Sequence, residues 1–135
     1  MNFENSLKEG YVKRVGTNIN RTKSLLKSSN QTIKTAMSIP LKEETIKSVF
    51  RELYEGLRQF CEAIGFARGF KFQSHEAISY FLRDILKENG ISQKFDRYRI
   101  LRNQINYYGD DISEETVKDA LEEIPKIIAS LKKYL

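Results

Sequence analysis

The stretch FDRYRILRNQINYYG, residues Phe95–Gly109, predicts one helix whose two faces differ in character. An α-helix turns by about 100° per residue, so residues three and four apart share a side. One side is apolar and aromatic and is expected to face the core, with Tyr98, Leu101, Ile105 and Tyr108. Ser92 is expected to cap this helix and Gly109 to close it. The rest of the chain is then interpreted as a scaffold that displays it.

The other side of this helix groups arginine and carboxamide side chains with aromatic rings. Its members are Phe95, Arg99, Arg102 and Asn106, with Asn103 and Tyr107 further round. Arginine presents a planar fork of donors that suits phosphate, and asparagine can orient a sugar hydroxyl or a base edge. Tyr107 adds a hydroxyl and a stacking ring. The alternative interpretation is that Arg102 and Asn103 bond to neighbouring helices and fix their packing.

Length and composition are typical of one helical domain. The chain has 135 residues, of which 40% are apolar and 30% charged, enough for a domain with its own core. No apolar run approaches the roughly 20 residues of a membrane span, and the N-terminal residues lack a signal-peptide pattern. The single cysteine, Cys61, excludes an internal disulfide and is expected to be a buried, unreactive thiol. We expect a cytoplasmic protein with no cofactor and no metal.

Charge and histidine content limit the chemistry that the chain can perform. A net charge of +5 favours an anionic partner such as RNA, DNA or a nucleotide, but it is equally typical of a small domain kept in solution. The only histidine is His75. It is expected to be a structural residue bonded to a nearby turn; the alternative is a base that reaches a site in another helix or subunit. No HExxH, Walker A, GxGxxG, GxSxG, EF-hand or Glu-x-x-His pattern occurs.

Apolar periodicity predicts helices in the first half of the chain. Ser6–Ser29 is expected to form one amphipathic helix, and Asn30–Ile39 a shorter helix or a bent continuation that Pro40 ends. Lys42–Phe66 has the strongest apolar stripe. The connection that follows, Gly65–Ser74, contains phenylalanines that are expected to dock onto the core.

The second half of the sequence predicts two further helices, one before and one after the Phe95–Gly109 helix. Ser74–Asn89 is expected to begin with a Ser74 cap and to stop at its Asn-Gly pair. The last helix is expected to start with a capping box of Asp111 and Glu114, and to kink or break at Pro125. No strand shows convincing alternation. The expected fold is therefore all-α, a single domain over residues 1–135 that forms a four-to-five-helix up-and-down bundle.

The segment Arg102–Gly109, RNQINYYG, resembles the signature helix of HEPN domains, in which Arg-Asn is followed after three residues by an aromatic residue and glycine. The Tyr54–Gly65 segment resembles the family's second helix running into its glycine. Ser74-His75 resembles the family's Ser/Thr-His step at the start of the next helix. The resemblance covers about Lys42–Leu135, and the N-terminal helix fits by position only.

The resemblance implies a HEPN-like helical bundle that forms a homodimer. Many HEPN proteins are RNA-cleaving toxins or defence nucleases whose site joins two copies of an arginine followed, four to six residues later, by histidine. Others are RNA-binding or substrate-binding partners of small nucleotidyltransferases. Arg102 matches the family's arginine and Asn103 the polar residue after it, whereas the positions of the histidine hold Tyr107, Tyr108 and Gly109. The nuclease motif is therefore expected to be degenerate.

From these features we expect a dimer that binds RNA or a nucleotide in a groove lined by Arg102, Asn103 and Tyr107, in a toxin–antitoxin or defence setting. The residues expected to bind nucleic acid are Arg99, Arg102, Asn103 and Asn106. A second hypothesis is an active, metal-independent endoribonuclease toxin in which Arg102 and Tyr107 are catalytic.

Two further hypotheses remain open at the level of sequence. One is a substrate-binding or adaptor subunit of a nucleotidyltransferase, or a protein that pairs with an antitoxin. The other is a structural dimer with no ligand, whose sign would be an Arg102 side chain fully paired with acids such as Glu52 or Glu55.

Overall fold

The computed structural model describes residues 1–135 as an all-α bundle with one small sheet. Four helices are long: α2 (Ile19–Ser38), α3 (Ile46–Ala67), α5 (Asn89–Tyr108) and α6 (Glu114–Leu131). The short elements are α1 (Phe3–Lys8), β1 (Val12–Arg14), β2 (Phe70–Phe72), α4 (His75–Asp84) and a 3₁₀ turn at Lys132–Tyr134. The predicted all-α helical bundle is confirmed. No helix has both the length and the apolar character required to cross a membrane.

The central helix is α3, against which α2, α5 and α6 all pack. Its stripe is almost wholly removed from water, as predicted, and includes Cys61. Burial raises the pKa of the Cys61 thiol to about 12, so it stays protonated and unreactive. The neighbouring α2 approaches closely at Gly56, where an added Cβ would lie 2.5 Å from Ile33 Cδ1. There the Ser29 hydroxyl donates a 2.7 Å hydrogen bond to the Gly56 carbonyl.

The N-terminal region differs from the single helix predicted over Ser6–Ser29. The chain leaves α1 through Gly10, whose positive φ of 82° is a left-handed conformation that suits glycine. It then forms β1, which pairs antiparallel with β2 so that Val12 lies opposite Phe72. Apolar residues spaced by three and four across α1, β1 and the start of α2 resembled one continuous helical stripe. The α2 helix runs without interruption to Ser38, and Pro40 follows its end as predicted.

The connection between α3 and α4 docks onto the core, as predicted. Phe66 and Phe72 are buried, and Phe70 is partly buried. Phe70 and Phe72 each meet the ring of Phe81 edge-on, with centroids 6.0 and 5.3 Å apart. These contacts hold the start of α4 against the bundle.

The boundary between α4 and α5 lies elsewhere than predicted. The α4 helix ends at Asp84, and the Asn89-Gly90 pair expected to stop it instead begins α5. Ser92 is inside α5 and is not its cap. Its buried hydroxyl donates a 2.7 Å hydrogen bond to the Ser79 carbonyl and ties α5 to α4. Gly109 closes α5 in a left-handed conformation, as predicted.

The orientation of α5 also differs from the predicted one. Phe95, placed on the polar side, is fully buried, while Tyr108, placed in the core, is 78% exposed. Tyr98 and Ile105 are buried as predicted. The buried stripe is therefore rotated toward the arginines, so that Arg102 lies one turn after Tyr98 on the side that faces α3.

The last helix starts and continues differently from the prediction. The cap of α6 is Ser113, whose hydroxyl accepts a hydrogen bond from the Thr116 amide at 3.1 Å. Asp111 instead forms a 3.3 Å ion pair with Lys47. Of the kink or break predicted at Pro125, the break does not occur, because α6 is continuous through this residue.

We expect Gly69→Ala to destabilise the protein by about 2 kcal/mol, because two costs add at this turn. Gly69 has a φ of 83°, and an added Cβ would lie 2.9 Å from the Val15 carbonyl oxygen. Gly10→Ala is a matched control, since Gly10 has nearly the same φ of 82° with no atom within 4 Å. Gly10→Ala should lower the free energy of unfolding by only the cost of placing alanine in a left-handed conformation, about 1 kcal/mol. Urea denaturation measures both, and equal losses would contradict the steric argument.

Candidate functional site

A cavity of ≈ 320 Å³ opens where the start of α4 meets the second half of α5. It is lined by the predicted residues Arg99, Arg102, Asn103 and Tyr107, together with Ser74, His75 and Glu76. The structure therefore brings together most of the predicted site residues and adds the only histidine. Asn106 is not part of this lining.

The central side chain of the site is Arg102, which lies close to two aromatic rings. Its guanidinium carbon is 5.7 Å from the centroid of the Tyr54 ring and 6.0 Å from that of Tyr107. Its Nη1 donates a 3.1 Å hydrogen bond to Asn103 Oδ1. Neither Glu52 nor Glu55 forms an ion pair with Arg102, so the sign expected for a purely structural arginine is absent.

The other arginines nearby are already paired with acids. Arg99 forms a 2.8 Å ion pair with Asp96. Arg58, on α3, is held between Glu55 and Glu62. Arg102 is therefore the cation of the cavity whose donors remain available to an anion.

Asn106 extends the polar surface one turn beyond the cavity. Its Oδ1 accepts a 2.7 Å hydrogen bond from Arg51 Nε, and both side chains are exposed. Arg51 makes no ion pair with an acid, which adds a second available cation beside the site. Sequence reasoning missed Arg51 because it belongs to α3, which is far from α5 in the sequence.

A buried hydrogen bond joins α3 to α4 beneath the cavity. Tyr54 of α3 is fully buried. Its hydroxyl lies 3.0 Å from His75 Nδ1, so His75 bonds to a central helix and not to a nearby turn. Burial raises the pKa of the Tyr54 phenol, which stays protonated at neutral pH. The bond fixes the ring of His75 at the wall of the cavity.

His75 is held in its neutral form. Partial burial, together with the positive charges of Arg58 and Arg102, lowers its pKa from 6.5 to about 4, against a smaller opposite effect of Glu55. At neutral pH the imidazole is therefore uncharged.

The low pKa of His75 predicts a pH dependence of stability. The unfolded chain binds this proton with a pKa of 6.5 and the folded protein with a pKa of about 4. The contribution of the neutral His75 to the free energy of unfolding is therefore fully present above pH 6.5 and is lost as the pH falls through the folded pKa. We expect a loss of about 1–2 kcal/mol from this group, after allowance for its partial exposure. Urea denaturation across this range measures it. In His75→Gln the loss should be smaller by that amount, whereas parallel curves would contradict the assignment.

The start of α4 adds positive potential to the cavity. Ser74 occupies the cap position but its side chain makes no capping hydrogen bond, so the first amides of α4 are not satisfied by it. Such amides and the helix dipole favour an anion. Glu76 opposes them in part, and its carboxylate accepts a 2.5 Å hydrogen bond from the Tyr80 hydroxyl.

The site combines the available guanidinium of Arg102, which lies over two aromatic rings, with the neutral imidazole of His75. No group of three or more histidine, cysteine, aspartate or glutamate side chains is arranged to hold a metal ion. No family model, no curated protein and no solved structure matches this chain.

Proposed function

We propose that the protein binds RNA or a nucleotide through the cavity lined by Arg99, Arg102, Asn103 and Tyr107. The observation that carries the proposal is Arg102, which has no acidic partner, lines the cavity and lies within 6.0 Å of the exposed ring of Tyr107. A guanidinium holds phosphate through parallel hydrogen bonds. The net charge of +5 favours the same class of ligand.

The dimensions of the cavity support a single-stranded ligand. A volume of ≈ 320 Å³ is suited to one nucleotide unit and is too small for a duplex. Tyr107 is 70% exposed beside Arg102, so its ring is available to stack on a base. Only an unpaired base offers its face to such a ring.

The resemblance to HEPN domains supports the same ligand class and adds a homodimer to the proposal. The outer surface of α5 exposes apolar and aromatic side chains next to the site: Ile100 is 44% exposed, Tyr107 70% and Tyr108 78%. Exposed side chains of this kind suit an interface. A second copy at this surface would bring two Arg102 side chains toward one shared cleft, in the toxin–antitoxin or defence setting that the resemblance implies. Analytical ultracentrifugation tests the dimer, and a monomer at high concentration would rule it out.

Fluorescence anisotropy with a labelled pool of short single-stranded RNA tests the binding proposal. We expect saturable binding at low salt that weakens as salt is added, because phosphate contacts release counterions. Unlabelled mononucleotides should compete if one nucleotide unit fills the cavity. Absence of binding at low salt, or equal binding to duplex RNA, would overturn the proposal.

A second candidate function, metal-independent RNA cleavage, is favoured by the position of His75. In this candidate His75 is the tautomer whose Nδ1–H donates to the Tyr54 hydroxyl oxygen, so that its Nε2 accepts the proton of a ribose 2′-hydroxyl whose oxygen attacks the phosphorus. The bond from phosphorus to the 5′-oxygen breaks, and that oxygen takes a proton from water. Arg102 stabilises the charge on the phosphate. His75 would thus supply the base that the HEPN-like motif lacks, since Tyr107 stands at a position of the family's histidine.

Incubation of labelled RNA with the protein and a chelator tests this second candidate. We expect His75→Gln to abolish cleavage while leaving RNA binding within about threefold, since the amide does not transfer protons. Tyr107→Phe separates the two roles assigned to that residue: it keeps the stacking ring and removes the hydroxyl. Cleavage that survives in His75→Gln would exclude His75 as the base.

A further inference from the structure

Two adjoining cavities form a continuous groove between α2 and α6, away from the residues of the arginine site. Their volumes are ≈ 610 and ≈ 530 Å³, and both are lined by Leu26 and Leu135. The α2 and α6 helices pack on α3 and scarcely contact each other, so the channel between them stays open above Phe60. We refer to this channel as the α2/α6 groove.

The walls of the α2/α6 groove are largely aliphatic. Ile33 lies on the α2 side, and Pro125 and Ile128 lie on the α6 side. At the far end Ile19, which is 69% exposed, leaves apolar surface in contact with water. A contiguous exposed apolar surface of this kind is typical of an interaction site.

The charges along the groove are all of one sign. Its charged lining residues are Lys23, Arg68 and Lys132, and no aspartate or glutamate lines either cavity. None of these three cations forms an ion pair within the protein. The whole of α2 contains no acidic residue over its 20 positions. The groove therefore combines an apolar floor with a rim of available positive charge.

We propose that the α2/α6 groove binds an acidic amphipathic helix of a partner protein. The α2, α3 and α6 helices leave one position of a four-helix arrangement open, and a helix laid there would bury Leu26, Ile33 and Ile128. From Ile19 to Ile33 the α2 helix rises about 21 Å, which matches about four turns of a partner helix. Its carboxylates would face Lys23 and Lys132.

The chemistry of the groove favours a helix over a nucleic acid. Nucleic acids combine phosphate contacts with bases stacked on exposed aromatic rings. Phe60 at the floor of this groove is only 5% exposed. Tyr134, the other aromatic residue of the lining, is partly buried and already has Arg68 over its ring, so most of the apolar lining is aliphatic. Aliphatic walls instead match the leucine and isoleucine side chains of an apolar helical stripe. This inference is independent of the function proposed for the arginine site.

The test uses two synthetic 16-residue peptides with leucine at helical positions i, i+3, i+4 and i+7. One carries glutamate at its polar positions and the other carries lysine. We expect the glutamate peptide to bind the protein at least about tenfold more tightly than the lysine peptide. Its binding should weaken with salt, and the resulting changes in amide chemical shifts should map to the groove.

Matched variants locate the binding surface. Ile19→Glu and the double variant Lys23→Glu/Lys132→Glu alter exposed positions and should each weaken binding at least about tenfold. Their controls are Ile85→Glu, directly after α4, and Lys8→Glu/Lys71→Glu, which make the same chemical changes at exposed positions elsewhere and should leave affinity unchanged. Arg102→Ala should also leave peptide binding unchanged, which separates this inference from the RNA proposal.

Several outcomes would overturn the inference. One is an equal affinity of the protein for both peptides. Another is a loss of peptide affinity in the control variants equal to that in the groove variants. Tighter binding of single-stranded RNA or of anionic phospholipid vesicles at the groove would assign it to another class of ligand. Self-association that Ile19→Glu abolishes would assign it to a second copy of this chain.

Discussion

Replacing Arg102 by alanine is expected to weaken RNA binding by about tenfold to a hundredfold, because hydrogen bonds to a charged group contribute about 1.5–3 kcal/mol. Arg102 is the arginine of the cavity that no acid neutralises, and its guanidinium lies over the rings of Tyr54 and Tyr107. Fluorescence anisotropy titrations of the wild type and the variant at one fixed salt concentration measure the change. The salt dependence of the variant should also be shallower, since one phosphate contact is lost.

Arg97→Ala is the matched control for this experiment. Arg97 is on the same helix, is exposed and does not line the cavity. Its removal changes the net charge by the same amount, and we expect an effect on affinity below about threefold. An equal loss in both variants would mean that binding follows net charge and does not depend on the cavity.

Arg102→Lys distinguishes charge from geometry. Lysine keeps the positive charge but lacks the planar fork, so we expect an affinity between those of the wild type and the alanine variant. Full retention of affinity would indicate a diffuse electrostatic contact and would contradict a role for parallel hydrogen bonds to phosphate.

Local periodicity was sufficient to predict the helical class and the arginine cluster. The stripes of α3, α4 and α6 recur every three or four residues, because each of these helices buries one continuous face. Arg99, Arg102, Asn103 and Tyr107 share one region of a single helix, so their proximity follows from helical geometry alone.

The parts of the site that the sequence did not reveal depend on contacts between distant elements. His75 reaches the cavity because α4 begins beside Tyr54 of α3, and no local pattern encodes that pairing. The burial of Tyr54 does have a local signal: it lies four residues after Phe50 and three before Leu57, both core positions.

The orientation of α5 was mispredicted for a similar reason. Tyr108 continues the spacing of Tyr98 and Ile105, yet the first turns of α3 meet the end of α5 with polar side chains. Lys47 Nζ donates a 3.1 Å hydrogen bond to the Gly109 carbonyl, and Arg51 bonds to Asn106. No apolar surface therefore covers Tyr108. The apolar spacing along α5 continues past the last residue that the core buries.

Phe95→Ala is expected to lower the free energy of unfolding by about 3–5 kcal/mol, as is typical when a buried phenylalanine is truncated. The ring of Phe95 is completely buried, and its centroid is 5.7 Å from that of Tyr54. Its loss would leave a cavity directly beneath the arginine site. Small domains have a total stability of about 5–15 kcal/mol, so this one change would remove a large part of it.

Tyr108→Ala is the control that decides the orientation of α5. Tyr108 is 78% exposed, so its truncation should change stability by less than about 0.5 kcal/mol. Urea denaturation followed by circular dichroism measures both variants. If Phe95→Ala failed to fold, Phe95→Leu would retain most of the buried volume and still show a loss larger than that of Tyr108→Ala. A larger loss for Tyr108→Ala than for the Phe95 variants would mean that α5 is rotated, and Arg102 would then no longer face Tyr54.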